Sequence, residues 1–167
     1  KTIGKEVHIV LGEVSSSVVP LVDTFRESEF YEEDMFISGS DAAANIGKND
    51  ALIIVDCSRA GYTEYPELVR RTQCLLVFDH HRQGNEVIQN PILSYIEPYA
   101  SSTCEMIAEV LQYFTENIKL EPSEADCIYA GILIDTNNFM TKTGVRTFEA
   151  AAYLRRCGAE VTRVRKL

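Results

Sequence analysis

Two of the three histidines in the sequence stand side by side, directly after an apolar run that ends in an aspartate. The stretch CLLVFDHHR places Asp79, His80 and His81 where a buried strand would meet a loop. A second apolar run, LIIVDCSR, ends in Asp56 in the same way. Ligands of parallel sheets bind beyond the carboxyl ends of the strands, and carboxylates with imidazoles suit a borderline divalent metal. The two strand ends therefore predict a metal site.

A third carboxylate of this kind, Asp135, ends the apolar stretch AGILID. Its burial would be costly unless a cation or strong hydrogen-bond donors met it. Each of these aspartates also has an ordinary interpretation, because Asp favours helix caps and turns. The coincidence of three such ends favours a metal site, although spacing alone leaves both interpretations open.

The apolar segments around these residues alternate between strand and helix patterns. Residues 51–58 and 74–81 have the pattern of continuous strands, and TEYPELVRR between them is predicted to be a helical crossover. Strands that are apolar throughout fit a parallel sheet covered on both faces. We therefore predict a βαβ unit, preceded by shorter strand-like runs (EVHIVLG and DMFIS) and helix-like segments.

The second half of the chain is predicted to be mostly helical. Ser102 followed by Glu105 fits a capping box at the start of a helix, and Pro122 marks a second start. A third helix, TFEAAAYLRRC, is expected to end at Gly158. The predicted fold class is α/β, a parallel sheet with flanking helices and a mostly helical second half, forming one partial domain over residues 1–167.

The composition excludes several classes of function. The net charge is −9, and because an acidic surface repels phosphodiester backbones, we expect no long nucleic-acid partner. No apolar run approaches the ~20 residues of a membrane span. The five cysteines include no C-x-x-C pair, which predicts reduced thiols rather than a disulfide framework or a structural zinc site.

Hydroxyl and guanidinium groups near these segments could handle anions. Ser101, Ser102 and Thr103 begin a predicted helix, where free N–H groups and the helix dipole favour a phosphate; plain capping is their ordinary role. Three arginines could pair with a phosphate bidentately, although most arginines are simply exposed: Arg59, Arg82 and Arg146.

The motif VFDHHR resembles the signature of the DHH phosphoesterase superfamily. The stretches LIIVDCSR, YIEPYASSTCEMIAEVLQYF and AGILIDTNNFMTKTGVRTFEAAAYLRR resemble, in order and spacing, the DHH domain of GdpP-type cyclic di-AMP phosphodiesterases. The resemblance covers essentially the whole chain. It implies that Asp56 bridges two Mn²⁺ ions and that His80 and Asp135 are further ligands. Asp79 and His81 would then take supporting and catalytic roles, orienting the imidazole that binds the metal and meeting the scissile phosphate.

The same resemblance implies the reaction, a two-metal hydrolysis of cyclic di-AMP to the linear dinucleotide. It also implies a full-length homodimer whose catalytic half is cytosolic and whose membrane tether lies outside these residues. The sequence lacks two family features, a His-x-x-x-Asp-x-Asp motif and a C-terminal companion domain that binds nucleotide. We therefore expect residues 1–167 to bind Mn²⁺ weakly and to hydrolyse nothing alone.

Other functions stay open at this point. The same superfamily includes nanoRNA and 3′-phosphoadenosine phosphatases, manganese pyrophosphatases and RecJ-type exonucleases, the last of which the acidic charge disfavours. The chain could instead be a non-catalytic module that binds a nucleotide. In a purely structural interpretation, every polar strand end would be a turn.

Overall fold

Parallel strands form the N-terminal part of the chain. The computed structural model describes residues 4–116 and 118–166, which divide into two compact units, residues 4–96 and 97–166. The strands are β1 (Ile9–Val10), β2 (Phe36–Ile37), β3 (Ala51–Val55), β4 (Cys74–Asp79) and β5 (Leu93–Ile96). The first two pair with each other, and the other three form a separate sheet in the order β3-β4-β5. All pairings are parallel, so the predicted α/β class is confirmed.

The central strand β4 is the most buried of the five. Its alternating Leu75 and Val77 pack with Ile54 of β3 and with Ile88 in the core of this unit. Every residue of β4 is at least partly buried, on both faces of the sheet, which accounts for its continuous apolar run. The other face of β3 is exposed at Ile53 and Val55, so the predicted cover on both faces is not complete.

Short helices connect these strands. The α-helices are α1 (Val19–Arg26) and α2 (Gly39–Asn45), and 3₁₀ turns cover Glu33–Met35, Ala60–Tyr62 and Pro66–Arg70. The crossover between β3 and β4, predicted to be helical, is therefore built from two 3₁₀ turns. Pro66 starts the second turn, which spans five residues, and pieces this short favour the tighter 3₁₀ form.

The C-terminal unit is helical, as predicted. Its helices are α3 (Thr103–Phe114), α4 (Pro122–Asp135), α5 (Val145–Arg156) and α6 (Val161–Val164). The Ser102 hydroxyl accepts a hydrogen bond from the Glu105 N–H at 3.0 Å, which confirms the predicted N-cap. Gly158 lies beyond α5 with a φ of +104°, the left-handed conformation that glycine adopts most readily.

Small residues allow the helices of this unit to pack closely. Its core contains Ala125, Ala130, Ala150 and Ala151 beside larger residues such as Leu154. Gly131 extends the pattern: a Cβ added there would overlap the sulfur of Cys104 on α3. Close-packed interiors tolerate such additions poorly, so this position requires glycine.

Two further observations concern the whole described chain. All five cysteines are free thiols. Within residues 4–116 and 118–166, no helix combines the length and the apolar character that a membrane crossing requires.

Candidate metal centre

The register of the sheet brings the ends of β3 and β4 to one edge. Val55 lies opposite Phe78, and the Asp56 N–H donates to the Phe78 carbonyl at 2.8 Å. Because parallel strands share a direction, the residues that follow them emerge at the same edge. Asp56 and the run from Asp79 to His81 therefore meet there, and we call this edge the rim.

Asp56 ends its strand in an unusual backbone conformation. Its φ is +62°, in the left-handed region, which non-glycine residues occupy rarely and at a cost on the order of 1–3 kcal/mol. Asp tolerates this region better than most residues. Such strain clusters at functional sites, so the conformation is consistent with selection for the position of the carboxylate.

Three metal-type side chains converge at the rim. Asp56, His80 and His81 each offer a ligand atom, and these atoms lie within 4.8 Å of one another. His80 Nε2 is 3.6 Å from Asp56 Oδ1. Ligands about 2.0–2.2 Å from a shared ion lie at most ~4 Å apart, so this pair fits one ion. A set of one carboxylate and two imidazoles suits a borderline divalent metal.

The side chains of the cluster differ in their exposure to solvent. The His80 side chain is 10% exposed, whereas that of Asp56 is 58% exposed. The protein therefore holds the imidazole in place and leaves the carboxylate accessible from solvent. An ion or a ligand would reach the cluster from the Asp56 side.

Asp79 is buried beneath the cluster and holds His81. Its Oδ1 lies 2.7 Å from His81 Nδ1 and accepts the His81 backbone N–H at 3.1 Å. Burial acts to raise the pKa of Asp79, but hydrogen bonds from the Ser58 hydroxyl, the His81 ring and the His81 N–H together lower it below its usual value. Asp79 is therefore an ionised acceptor at neutral pH.

The charge of Asp79 fixes the tautomer of His81. An ionised carboxylate only accepts hydrogen bonds, so Nδ1 of His81 carries the proton and donates it. In the neutral ring, Nε2 then has a free lone pair, which can bind a metal or accept a proton. Asp79 thus orients the second histidine of the pair rather than the first.

A cavity of about 490 Å³ adjoins the cluster. Its lining residues are Asp56, Cys57, Ser58, Arg59, Tyr62, Asp79, His81 and Arg82. Within the described part of the chain, neither Arg59 nor Arg82 has a carboxylate at ion-pair distance. The cavity therefore has two guanidinium groups without a carboxylate partner among the described residues, next to a candidate site for a cation. This combination favours an anionic ligand, although the chain as a whole is acidic.

The remaining predicted site residues lie in the C-terminal unit. Asp135 is the last residue of α4 and is partly buried; its role as a ligand stays a prediction. Ser101 and Ser102 are buried. The Ser101 hydroxyl donates to Glu105 Oε2 at 2.5 Å, and Ser102 caps α3. Both hydroxyls have internal partners, and phosphate contact through them stays a prediction.

Arg146 is surrounded by carboxylates of the same unit. Its Nε and Nη2 donate to the two oxygens of Glu109 at 2.7 and 2.6 Å, and Nη1 lies 3.6 Å from Glu97. This bidentate geometry is the one an arginine uses for a phosphate. Any phosphate would compete with Glu109, so substrate binding by Arg146 also stays a prediction.

A second group of donor atoms surrounds the third histidine. His8 Nδ1 lies 2.8 Å from the Asp34 carbonyl oxygen, and Nε2 lies 3.1 Å from Glu6 Oε1. The hydrogen bond to the Asp34 carbonyl, followed by that to Glu6, raises the pKa of His8. These contacts explain the group as a local ion pair that anchors the start of β1.

Sequence reasoning missed two residues of the rim. The Ser58 hydroxyl donates a hydrogen bond to Asp79, and Tyr62 lines the cavity. Neither carries a signal in the sequence, because a serine after a strand and a tyrosine in a loop are common on any surface. Only the closeness of both loops in space reveals them.

Comparison with known proteins gives a consistent result. The family profile described as "DHH family, N-terminal domain" matches residues 8–132. The cyclic-di-AMP phosphodiesterase GdpP of Bacillus subtilis is 39% identical over 156 residues, covering 92% of this chain and 23% of that protein. The cyclic-di-AMP phosphodiesterase PdeA of Listeria monocytogenes is 40% identical over 125 residues, covering 75% of this chain and 19% of that protein.

Two further proteins match with lower sequence identity or over less of the chain. A probable manganese-dependent inorganic pyrophosphatase of Thermotoga maritima is 36% identical over 93 residues, covering 55% of this chain and 16% of that protein. An exopolyphosphatase-related protein from Bacteroides fragilis superposes with a TM-score of 0.67 at 18% identity, covering 85% of this chain and 43% of that structure. The chain thus spans under a quarter of the phosphodiesterases it matches.

Proposed function

Because the chain belongs to the DHH family, we propose that it forms the metal-binding part of a phosphodiesterase that opens cyclic di-AMP to the linear dinucleotide. The observation that carries the proposal is the rim: Asp56, His80 and His81 converge there beside a cavity lined by two arginines. The relatives GdpP and PdeA are cyclic-di-AMP phosphodiesterases, and this similarity supports the proposed substrate.

In this proposal each rim residue has a separate task. Asp56 and His80 hold a divalent metal, for which we propose Mn²⁺, with two ions in the complete site and Asp135 as a further ligand. When bound, such a metal supplies Lewis-acid stabilisation of phosphate charge and an activated water. Asp79 keeps His81 in the tautomer whose Nε2 faces the reacting group, and Arg82 binds a phosphate oxygen.

Several parts of the proposal concern the whole protein. Membrane tethering through segments outside residues 1–167, cytosolic placement of this domain and a homodimeric assembly are proposals that rest on the family resemblance. The weak Mn²⁺ binding and the lack of activity expected of residues 1–167 alone belong with them. Pyrophosphate is a second candidate substrate, favoured by the similarity to the Thermotoga maritima protein.

The test is hydrolysis by the full-length protein in Mn²⁺, with cyclic di-AMP, a linear dinucleotide and pyrophosphate as parallel substrates. We expect cyclic di-AMP to be hydrolysed fastest and Asp56→Asn to lower that rate more than ~100-fold, since a metal-site carboxylate should matter at least as much as the residues that support it. Asp23→Asn, a change at another exposed aspartate of the same unit, is the control. Faster hydrolysis of pyrophosphate, or full activity of Asp56→Asn, would contradict the proposal.

A further inference from the structure

The loop after β3 brings an exposed tyrosine to the cavity. Tyr62 is 74% exposed, yet it lines the same cavity as Asp56, His81 and Arg82. An exposed tyrosine is common by itself, but this one shares a cavity with the residues of the candidate metal centre. Its position beside a candidate anion site suggests that the ring contacts the ligand that binds there.

Arg59 contacts one face of the Tyr62 ring. The guanidinium carbon of Arg59 lies 5.3 Å from the centre of the Tyr62 ring, within range of a cation–π interaction. The same guanidinium lies against the loop after β4, since a Cβ added at Gly84 would be 3.5 Å from its Nη2. Arg59 therefore links the tyrosine to the loop that follows the two histidines.

The volume of the cavity indicates which ligands could contact Tyr62. A volume of about 490 Å³ falls in the range of about 300–1,000 Å³ that is typical of small-molecule sites. One inorganic phosphate would leave most of this space empty. A ligand with a phosphate at the rim and a flat ring beyond it would fill more of the space and would cover Tyr62.

We propose that Tyr62, supported by Arg59, is a stacking platform for a nucleobase of a ligand whose phosphate lies at the Asp56–His80–His81 cluster. The inference rests on the proposed phosphodiesterase function and adds a residue that selects nucleotides over inorganic phosphate compounds. Bases stack on aromatic side chains and on guanidinium planes, and each stacked base strengthens binding by about 1–3 kcal/mol. Those energies correspond to about 5- to 150-fold in affinity.

The test compares two ligands that differ only by the base. Adenosine 5′-monophosphate and ribose 5-phosphate are titrated calorimetrically into the full-length protein in saturating Mn²⁺. We expect the nucleotide to bind at least about fivefold more tightly to the wild-type chain. In Tyr62→Ala the ratio of the two affinities should fall close to one, whereas Tyr62→Phe should keep the wild-type ratio.

A control variant at another exposed tyrosine shows whether the effect is specific to Tyr62. Tyr113→Ala removes a tyrosine that is 89% exposed on α3 and should keep the wild-type ratio; thermal unfolding checks that each variant is folded. Equal binding of both ligands to the wild type, or a base preference that survives in Tyr62→Ala, overturns the platform and leaves the phosphodiesterase proposal standing. Binding of neither ligand also overturns the platform, whereas the phosphodiesterase proposal is tested separately by the hydrolysis of cyclic di-AMP.

Discussion

The two units of the chain use their carboxylates in opposite ways. In the C-terminal unit, Glu105 is 2% exposed and accepts hydrogen bonds from Ser101 at 2.5 Å and from Thr147 at 2.6 Å. At the rim of the N-terminal unit, Asp56 is mostly exposed, strained and 3.6 Å from an imidazole.

The contrast separates structure from function. A buried polar group with all its partners in place stabilises one arrangement of the chain. Donor atoms that gather at an exposed edge contribute little to folding and instead remain available to a ligand. Glu105 should therefore respond to mutation through stability, and Asp56 through binding.

Glu105→Ala should produce the largest change. It leaves Ser101 and Thr147 without their buried acceptor and removes a carboxylate 4.0 Å from Arg146, and we expect a loss of about 3 kcal/mol in the free energy of unfolding. Urea denaturation measures it. Glu149→Ala, at an exposed glutamate of α5, is the matched control. Equal losses of stability in the two variants would contradict the structural role of Glu105.

Packing density gives the next comparison. Gly131→Ala pushes a methyl group into Cys104 and should cost about 2 kcal/mol. Gly61→Ala near the rim meets nothing within 4 Å and should change stability by less than about 0.5 kcal/mol. Thermal unfolding of both variants tests the difference, and a larger loss at Gly61 would show that the rim is the tighter region.

Asp79→Asn tests the support beneath the cluster. The amide keeps the shape but removes the charge that fixes the His81 tautomer, so the rate of cyclic di-AMP hydrolysis by the full-length protein in Mn²⁺ should fall about tenfold or more. Ser58→Ala, which removes one of several hydrogen bonds to Asp79, should have a smaller effect on this rate. Hydrolysis assays of both variants measure the two rates. An unchanged rate in Asp79→Asn would mean that the His81 tautomer does not matter for the reaction.

His8 should show the smallest effect, as a dependence on pH. The pKa of His8 is raised in the folded state, so the protonated ring stabilises the fold below the unfolded pKa of about 6.5. This contribution disappears as the pH rises through the folded pKa. His8→Gln should flatten the unfolding midpoint between pH 6 and pH 8, and an identical profile in both proteins would refute the contribution.

The sequence predicted the parts of the fold that repeat a pattern over enough residues. The apolar run from Cys74 to Asp79 predicts a buried strand, and the capping pair Ser102 and Glu105 predicts the start of α3. By contrast, β5 has four residues and no period to recognise. The helical spacing around Pro66 corresponds to 3₁₀ turns instead, a form that short connecting segments often take.

The site was predictable in part for a related reason. Strand ends carry Asp56 and His80 to a shared edge by the geometry of any parallel sheet, so local pattern suffices for them. The hydrogen bond from Ser58 to Asp79 and the position of Tyr62 depend on how two loops approach each other. No spacing along the chain encodes that approach.

The most direct test of the metal centre uses the three histidines of the chain as reporters. Substoichiometric Mn²⁺ broadens the NMR signals of nearby protons, and the ring signals of His8, His80 and His81 can be followed in one spectrum. We expect the His80 and His81 signals to broaden first, His8 to follow only at higher Mn²⁺, and Asp56→Asn to remove this order. Broadening of His8 first, or the same order in Asp56→Asn, would contradict a metal centre at the rim.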